Sequence, residues 1–256
     1  MSIDLGETFS ESVDRMLSVA GGVGIGLLFL YNLFSGVVWE TFVAEGIRFA
    51  LAEAGYSFQR LREEVIERYG YAAVRELDQF ADPPLDVGFP VAVALLLVLP
   101  FLIEFVYAVS IRAFAAANRG GDGFPTSEVT DGLVTAYLRM LVADVIIFVL
   151  MLIGFVLLVV PGIILAVLFT FVRQSIVVGG DGIFEGISNS VSLVRENVLE
   201  VVVLVIVSFV LTFGGAFVFG LIPVQVVSTF LNTLVTIYLI ALVTVAYQQA
   251  AATTRV

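Results

Sequence analysis

The sequence predicts an all-α fold: a polytopic membrane helix bundle of about six transmembrane helices, accompanied by amphipathic surface helices. Three observations carry this. The 256 residues are 60% hydrophobic, where soluble domains run at roughly 45–50% apolar. Several apolar stretches reach about 20 residues, the length that crosses ~30 Å of hydrocarbon; a soluble protein of this size has no core large enough to hide them all. Charged residues, 14% of the chain, gather mostly between those stretches.

The chain has no cysteine and no histidine, so it can build no disulfide, thiol nucleophile, Cys/His metal site or imidazole base. No metal and no cofactor is expected. Arginine supplies all 12 basic residues against 23 acids, for a net charge of −11. Such acidity argues against nucleic acid and anionic headgroups as partners. It fits very high salt, where the Debye length falls to ~3 Å and self-repulsion is screened. Arg in place of Lys also fits a GC-rich genome; the acid excess points to a salt-loving archaeon.

The first 16 residues carry four acids and one Arg, the reverse of the positive start that a signal peptide needs. The first apolar run is therefore expected to stay as a helix. Before it, residues 5–17 repeat Leu5, Phe9, Val13 and Leu17 at every fourth position, which predicts a short surface helix. Span one is expected over 18–39. Its Gly-Gly-Val-Gly-Ile-Gly run, Gly21 to Gly26, suits close helix packing in lipid. Trp39 and Glu40 mark an interfacial end.

Residues 41–87 form the one long polar insert, an extracytoplasmic set of two or three short amphipathic helices. Phe58, Leu61, Val65 and Tyr69 make an apolar stripe, Gly55 and Gly70 punctuate, and Asp82-Pro83-Pro84 ends the segment. Span two covers 88–112 with Pro100 inside, tolerated where neighbours satisfy the freed carbonyl. A polar turn containing Gly120 to Gly123 follows.

From Leu133 to Val178 only Arg139, Asp144 and Arg173 are charged. One helix of that length would measure about 69 Å at 1.5 Å per residue, more than twice the hydrocarbon core. The chain must reverse, and Pro161-Gly162 is the helix breaker in the middle. A tight hairpin there is expected to join spans three and four. After a second Gly-Gly-Asp-Gly turn, Gly179 to Gly182, residues 180–197 predict a cytoplasmic amphipathic helix. Ile183, Phe184, Ile187, Val191 and Val194 form its apolar face, with Asp181 as N-cap. Neither Gly-Gly-Asp-Gly turn has the lysine or strand context of a phosphate loop. Spans five and six are expected over 198–219 and 224–247. The whole chain, 1–256, reads as a single membrane domain.

An even number of spans puts both termini on one side. That side holds Arg15, Arg112, Arg119, Arg139, Arg173, Arg195 and Arg255, while the short turns near 161 and 221 hold no Arg. The positive-inside rule then predicts a multi-pass cell-membrane protein with cytoplasmic termini. Charges inside the apolar stretches are the candidate functional residues, because an unpaired carboxylate in lipid costs several kcal/mol. Glu104, Asp144, Arg112, Arg139 and Arg173 are expected to form a polar network in the cytoplasmic half of the bundle.

The stretch from Pro161 to Asn197 combines Pro161-Gly162, Phe169 and Phe171, Asp181-Gly182, and Glu185 with Ser190. This block resembles one in uncharacterised six-helix membrane families. Among them are the membrane domain of glycerophosphodiester phosphodiesterases and its stand-alone archaeal relatives. It departs from them at Gly186-Ile187, where Ala-Leu is usual, and at Val198, where Trp is usual. The resemblance implies the six-span layout and no catalytic activity, since the phosphodiesterase domain with its metal-binding acids and histidines is not in this chain. The expected role is non-enzymatic, organising lipids or partner proteins. The partners would be the lipid bilayer, other membrane proteins or a second copy. The alternative is a small permease for an ion or solute, using Glu104 and Asp144.

Overall fold

Segments this apolar have one stable form in lipid, the helix, which closes its own backbone hydrogen bonds. The computed structural model describes residues 3–78, 83–117, 123–157 and 159–254, and no strand occurs among them. The helices are α1 (Leu5–Leu17), α2 (Val19–Glu53), α3 (Phe58–Tyr69), α4 (Tyr71–Asp78), α5 (Phe89–Ala116) and α6 (Thr126–Thr130). They continue with α7 (Leu133–Leu157), α8 (Val159–Leu168), α9 (Val172–Val177), α10 (Ile183–Glu196), α11 (Val198–Gly220) and α12 (Gln225–Thr254). Six membrane-length segments result: α2, α5, α7, the α8–α9 pair over Val159–Val177, α11 and α12. Their outward side chains stay apolar and uncovered, as Phe148, Phe213 and Phe217 show. This is the surface of a multi-pass membrane bundle.

The described residues fall into two compact units. The first joins Met1–Phe29 to Ile103–Val256. Its core centres on Phe171, fully buried with Leu193, Val194, Val201, Leu204 and Leu242. Burying a side chain of that size contributes about 2–3 kcal/mol. α1 starts on an Asp4 carboxylate that accepts the Glu7 N–H at 3.0 Å, and it packs along α12. The Ile3 N–H donates to Asn197 Oδ1 at 3.1 Å, which anchors the chain before α1 to the α10–α11 junction. The packed face of α1 carries Thr8, Ser12 and Arg15, whereas Val13 and Leu17 point outward. Of the expected Leu5–Phe9–Val13–Leu17 stripe, Leu5 and Phe9 are partly buried against the core, and the outer half is uncovered. The small hydroxyls let α1 approach α12 closely and bond back to their own helix: Ser12 Oγ donates to the Thr8 carbonyl.

α7 and α8 form an antiparallel hairpin. A Cβ on Gly154 would lie 2.9 Å from Leu165 Cδ1 and 3.2 Å from the Gly162 Cα. α7 is described to Leu157 and α8 from Val159, so Pro161 and Gly162, expected as the corner itself, lie within α8, in its first turn. Proline is harmless there, because the first four N–H groups of a helix have no intrahelical acceptor. Gly162 is instead the contact point: a Cβ on it would meet the Phe155 ring at 2.6 Å.

Span four is itself broken. α8 stops at Leu168 and α9 resumes at Val172, with the Thr170 N–H donating to Val167 O at 3.3 Å in a tighter turn. Of the glycines in span one, Gly24 meets neighbours, Ile237 at 3.1 Å and Ser110 at 3.4 Å, while Gly22 and Gly26 face open space. Gly21 sits against the end of α1, where a Cβ would collide with the Met16 carbonyl oxygen, so close packing is confined to Gly21 and Gly24. α12 runs on to Thr254, past the expected end of span six at 247.

The second unit spans Leu30–Leu102. α2 does not end at Trp39-Glu40 but continues to Glu53 as one 35-residue helix. The first part of the expected 41–87 insert therefore belongs to this helix. Phe89, at the start of α5, explains the extension. Its ring stacks on Phe42 and Phe49 at 5.8 and 5.0 Å, over Gly46. The nearly buried Glu45 pairs with Arg48 at 3.2 Å, and Leu85 N–H donates to the buried Thr41 hydroxyl at 3.3 Å. α3 begins on a Ser57 cap and ends at Gly70, whose φ of +81° suits glycine. None of its residues is buried, and it packs on α4. Asp82, Arg119, Arg255 and all of Gly120–Gly123 except Gly123 lie outside the described residues.

Candidate functional site

Charges buried in a membrane helix must find partners close at hand. Glu104 comes from α5, Asp144 from α7 and Arg173 from α9. The Arg173 guanidinium donates from Nη2 to Glu104 Oε1 at 2.7 Å and from Nε to Asp144 Oδ1 at 3.0 Å. Its Cζ lies 5.1 Å from the centroid of the Tyr107 ring, one turn along α5 from Glu104. A single cation thus clasps three helices. The two carboxylates are 13% and 20% exposed against 37% for Arg173. Glu104 Oε2 and Asp144 Oδ2 are buried and accept no hydrogen bond among the described residues.

Two of the five expected network members lie elsewhere. Arg112 uses Nη1 on the carbonyls of Glu128, Val129 and Asp131, where α6 ends. Arg139 donates to the carbonyls of Gly180 and Asp181, at 3.0 and 3.3 Å, in the turn before α10. Both neutralise the exposed acceptors of a chain end, the ordinary task of a cation near a helix C-terminus or turn. The network therefore contracts to Glu104, Asp144 and Arg173, with Tyr107 beneath.

A second polar junction closes the break in span four. Ser190 on α10 is fully buried. Its hydroxyl accepts the Phe171 N–H at 3.1 Å and donates to the Leu168 carbonyl at 2.8 Å. One side chain thereby replaces the helix bonds lost across Phe169–Phe171. Contact this close requires small residues: a Cβ on Gly186, one turn before Ser190, would sit 2.7 Å from Ile176 Cγ1. The buried face of α10 is accordingly Gly186, Ser190, Leu193 and Val194, and Phe184 points outward. This rotates the helix from its expected apolar face, of which Val194 alone is fully buried. The N-cap is Gly182 rather than Asp181; Glu185 accepts the Gly182 N–H at 3.2 Å. Asp181 instead joins the Ser175 hydroxyl to the Asn189 amide.

A family model for a domain of unknown function, DUF7847, matches residues 17–253. The chain belongs to the DUF7847 family. The match takes in all six membrane segments, the three charges and the Ser190 junction, so in this chain the DUF7847 domain is the bundle itself. No curated protein and no solved structure matches the chain. No link to the membrane domain of glycerophosphodiester phosphodiesterases is shown. Among the described residues no group of three or more Asp and Glu is placed to hold a metal ion.

Proposed function

We propose that this DUF7847 protein is a non-enzymatic membrane protein that organises lipids or partner proteins. One observation carries the reading: the polar groups inside the bundle are turned on each other. Broken membrane helices in transporters leave backbone groups open to coordinate substrate. Here the Ser190 hydroxyl occupies the Phe171 N–H and the Leu168 carbonyl, and Arg173 occupies both acids. The Arg distribution supports cytoplasmic termini. The net charge of −11 supports a setting of high salt. The likeness to the membrane domain of phosphodiesterases rests on the Pro161–Asn197 block alone and is compatible with a role that involves lipid.

One observation favours the permease instead. Glu104 Oε2 and Asp144 Oδ2 are buried acceptors without a partner among the described residues, which a transported cation or proton would satisfy. Flux measurements on proteoliposomes with sodium and pH indicators separate the two. The scaffold reading expects flux no higher than in protein-free vesicles, with Glu104→Gln changing nothing. A flux that Glu104→Gln abolishes, in a variant that still elutes as the folded protein, would replace it with the permease.

A further inference from the structure

At the end of α5 a cavity of about 520 Å³ opens between α5, α6 and the end of α9, within the first unit. That is the size of a small-molecule site. One wall is apolar, with Ala116 and Val177, and the other is polar, with Ser127, Glu128 and Asp131; Arg112 also lines it. Arg112 is a preset donor. Its Nη1 is pinned on three α6 carbonyls, its Nε is buried without a partner, and Nη2 makes no hydrogen bond among the described residues. The Asp131 carbonyl is one of those three acceptors, and Asp131 also lines the cavity. A fixed guanidinium edge suits phosphate oxygens, and a carboxylate next to it suits a cation.

We propose that this cavity binds a zwitterionic phosphate ester, with phosphate on Arg112 Nη2 and ammonium on Asp131. A purely anionic ligand would meet the Glu128 and Asp131 carboxylates, whereas the ammonium of a zwitterion offsets charge that its phosphate brings to an acidic protein. The ester can be a free small molecule or the headgroup of a lipid whose chains lie along the Ala116–Val177 wall. The inference goes beyond the scaffold reading and is tested apart from it: ion flux through Glu104 would overturn that reading and leave this site standing.

The full chain, purified in a non-ionic detergent, is titrated calorimetrically with phosphoethanolamine, with dihexanoyl phosphatidylethanolamine and with inorganic phosphate. The wild type is expected to bind at least one zwitterion, with inorganic phosphate weaker by on the order of tenfold or more. Binding of phosphoethanolamine itself identifies a small-molecule site, and binding of the short-chain lipid alone identifies a headgroup site. Arg112→Gln should weaken binding by on the order of tenfold or more, the loss of one charge-assisted hydrogen bond. Because Arg112 also caps α6, Ser127→Trp provides the second arm. It fills the cavity from an exposed position and leaves the Arg112 side chain in place, and it should weaken binding as much at unchanged thermal stability. If neither zwitterion binds, if inorganic phosphate binds as tightly, or if Ser127→Trp leaves the affinity unchanged, the proposal fails.

Discussion

Arg173→Met is expected to destabilise the bundle by about 3 kcal/mol, the low end for breaking a buried ion pair. The low end applies because the Arg173 side chain is 37% exposed, so the pair is only partly buried within the bundle. The substitution leaves Glu104 and Asp144 facing each other without their shared cation and removes the cap on the Tyr107 ring. Neutralising one acid is milder. Glu104→Gln or Asp144→Asn leaves Arg173 one carboxylate and should cost about 1 kcal/mol, near the net value of one hydrogen bond. Thermal unfolding in detergent measures both. For a chain of this size 3 kcal/mol corresponds to a fall of roughly 6–12 °C in Tm. A fall no larger than that of either acid variant would mean that Arg173 is not the centre of the clasp.

Ser190→Ala is expected to have an effect of comparable size, about 2–4 kcal/mol. It strands two buried backbone groups at once, and each unsatisfied group costs about 1–3 kcal/mol. The damage should be local before it is global. α9 is a six-residue helix, too short to hold itself together without its neighbours. Amide exchange around Phe171 should therefore accelerate by a factor on the order of 30 for 2 kcal/mol, while α11 and α12 keep their protection. Unchanged exchange at Phe171 would show that the break in span four does not depend on Ser190.

Six membrane segments were legible in the sequence because hydropathy and length leave a lipid-embedded chain few choices. Glu104, Asp144 and Arg173 were legible for the same reason: a charge in an apolar run has to be met by another. Arg112 and Arg139 were not, since their partners are carbonyls, and every residue has one. The position of the hairpin was displaced because Pro161 and Gly162 look like a turn and behave equally well as the first turn of a helix. Helix faces misled for a related reason. On α1 and α10 the closest contacts are made by Thr8, Ser12, Gly186 and Ser190, small residues that a count of apolar positions passes over. The break at Phe169–Phe171 had no local signal; Ser190, twenty residues later, was its mark, visible only as the serine in the middle of α10. The extension of α2 to Glu53 was hidden because Trp39 and Glu40 resemble an interface, while the Phe89 ring that organises the segment is distant in sequence.

The measurement that bears most directly on the closed charge set is the stability of a triple variant, Glu104→Met, Asp144→Leu and Arg173→Met. Replacing a whole buried ionic group with apolar residues of similar volume is often neutral or stabilising, whereas removing one partner is not. If the three charges form one self-contained clasp, the triple variant should regain most of the ~3 kcal/mol lost in Arg173→Met alone and unfold near the wild-type temperature. A triple variant as unstable as the sum of its single substitutions would contradict the account, because each charge would then be held by something other than the other two.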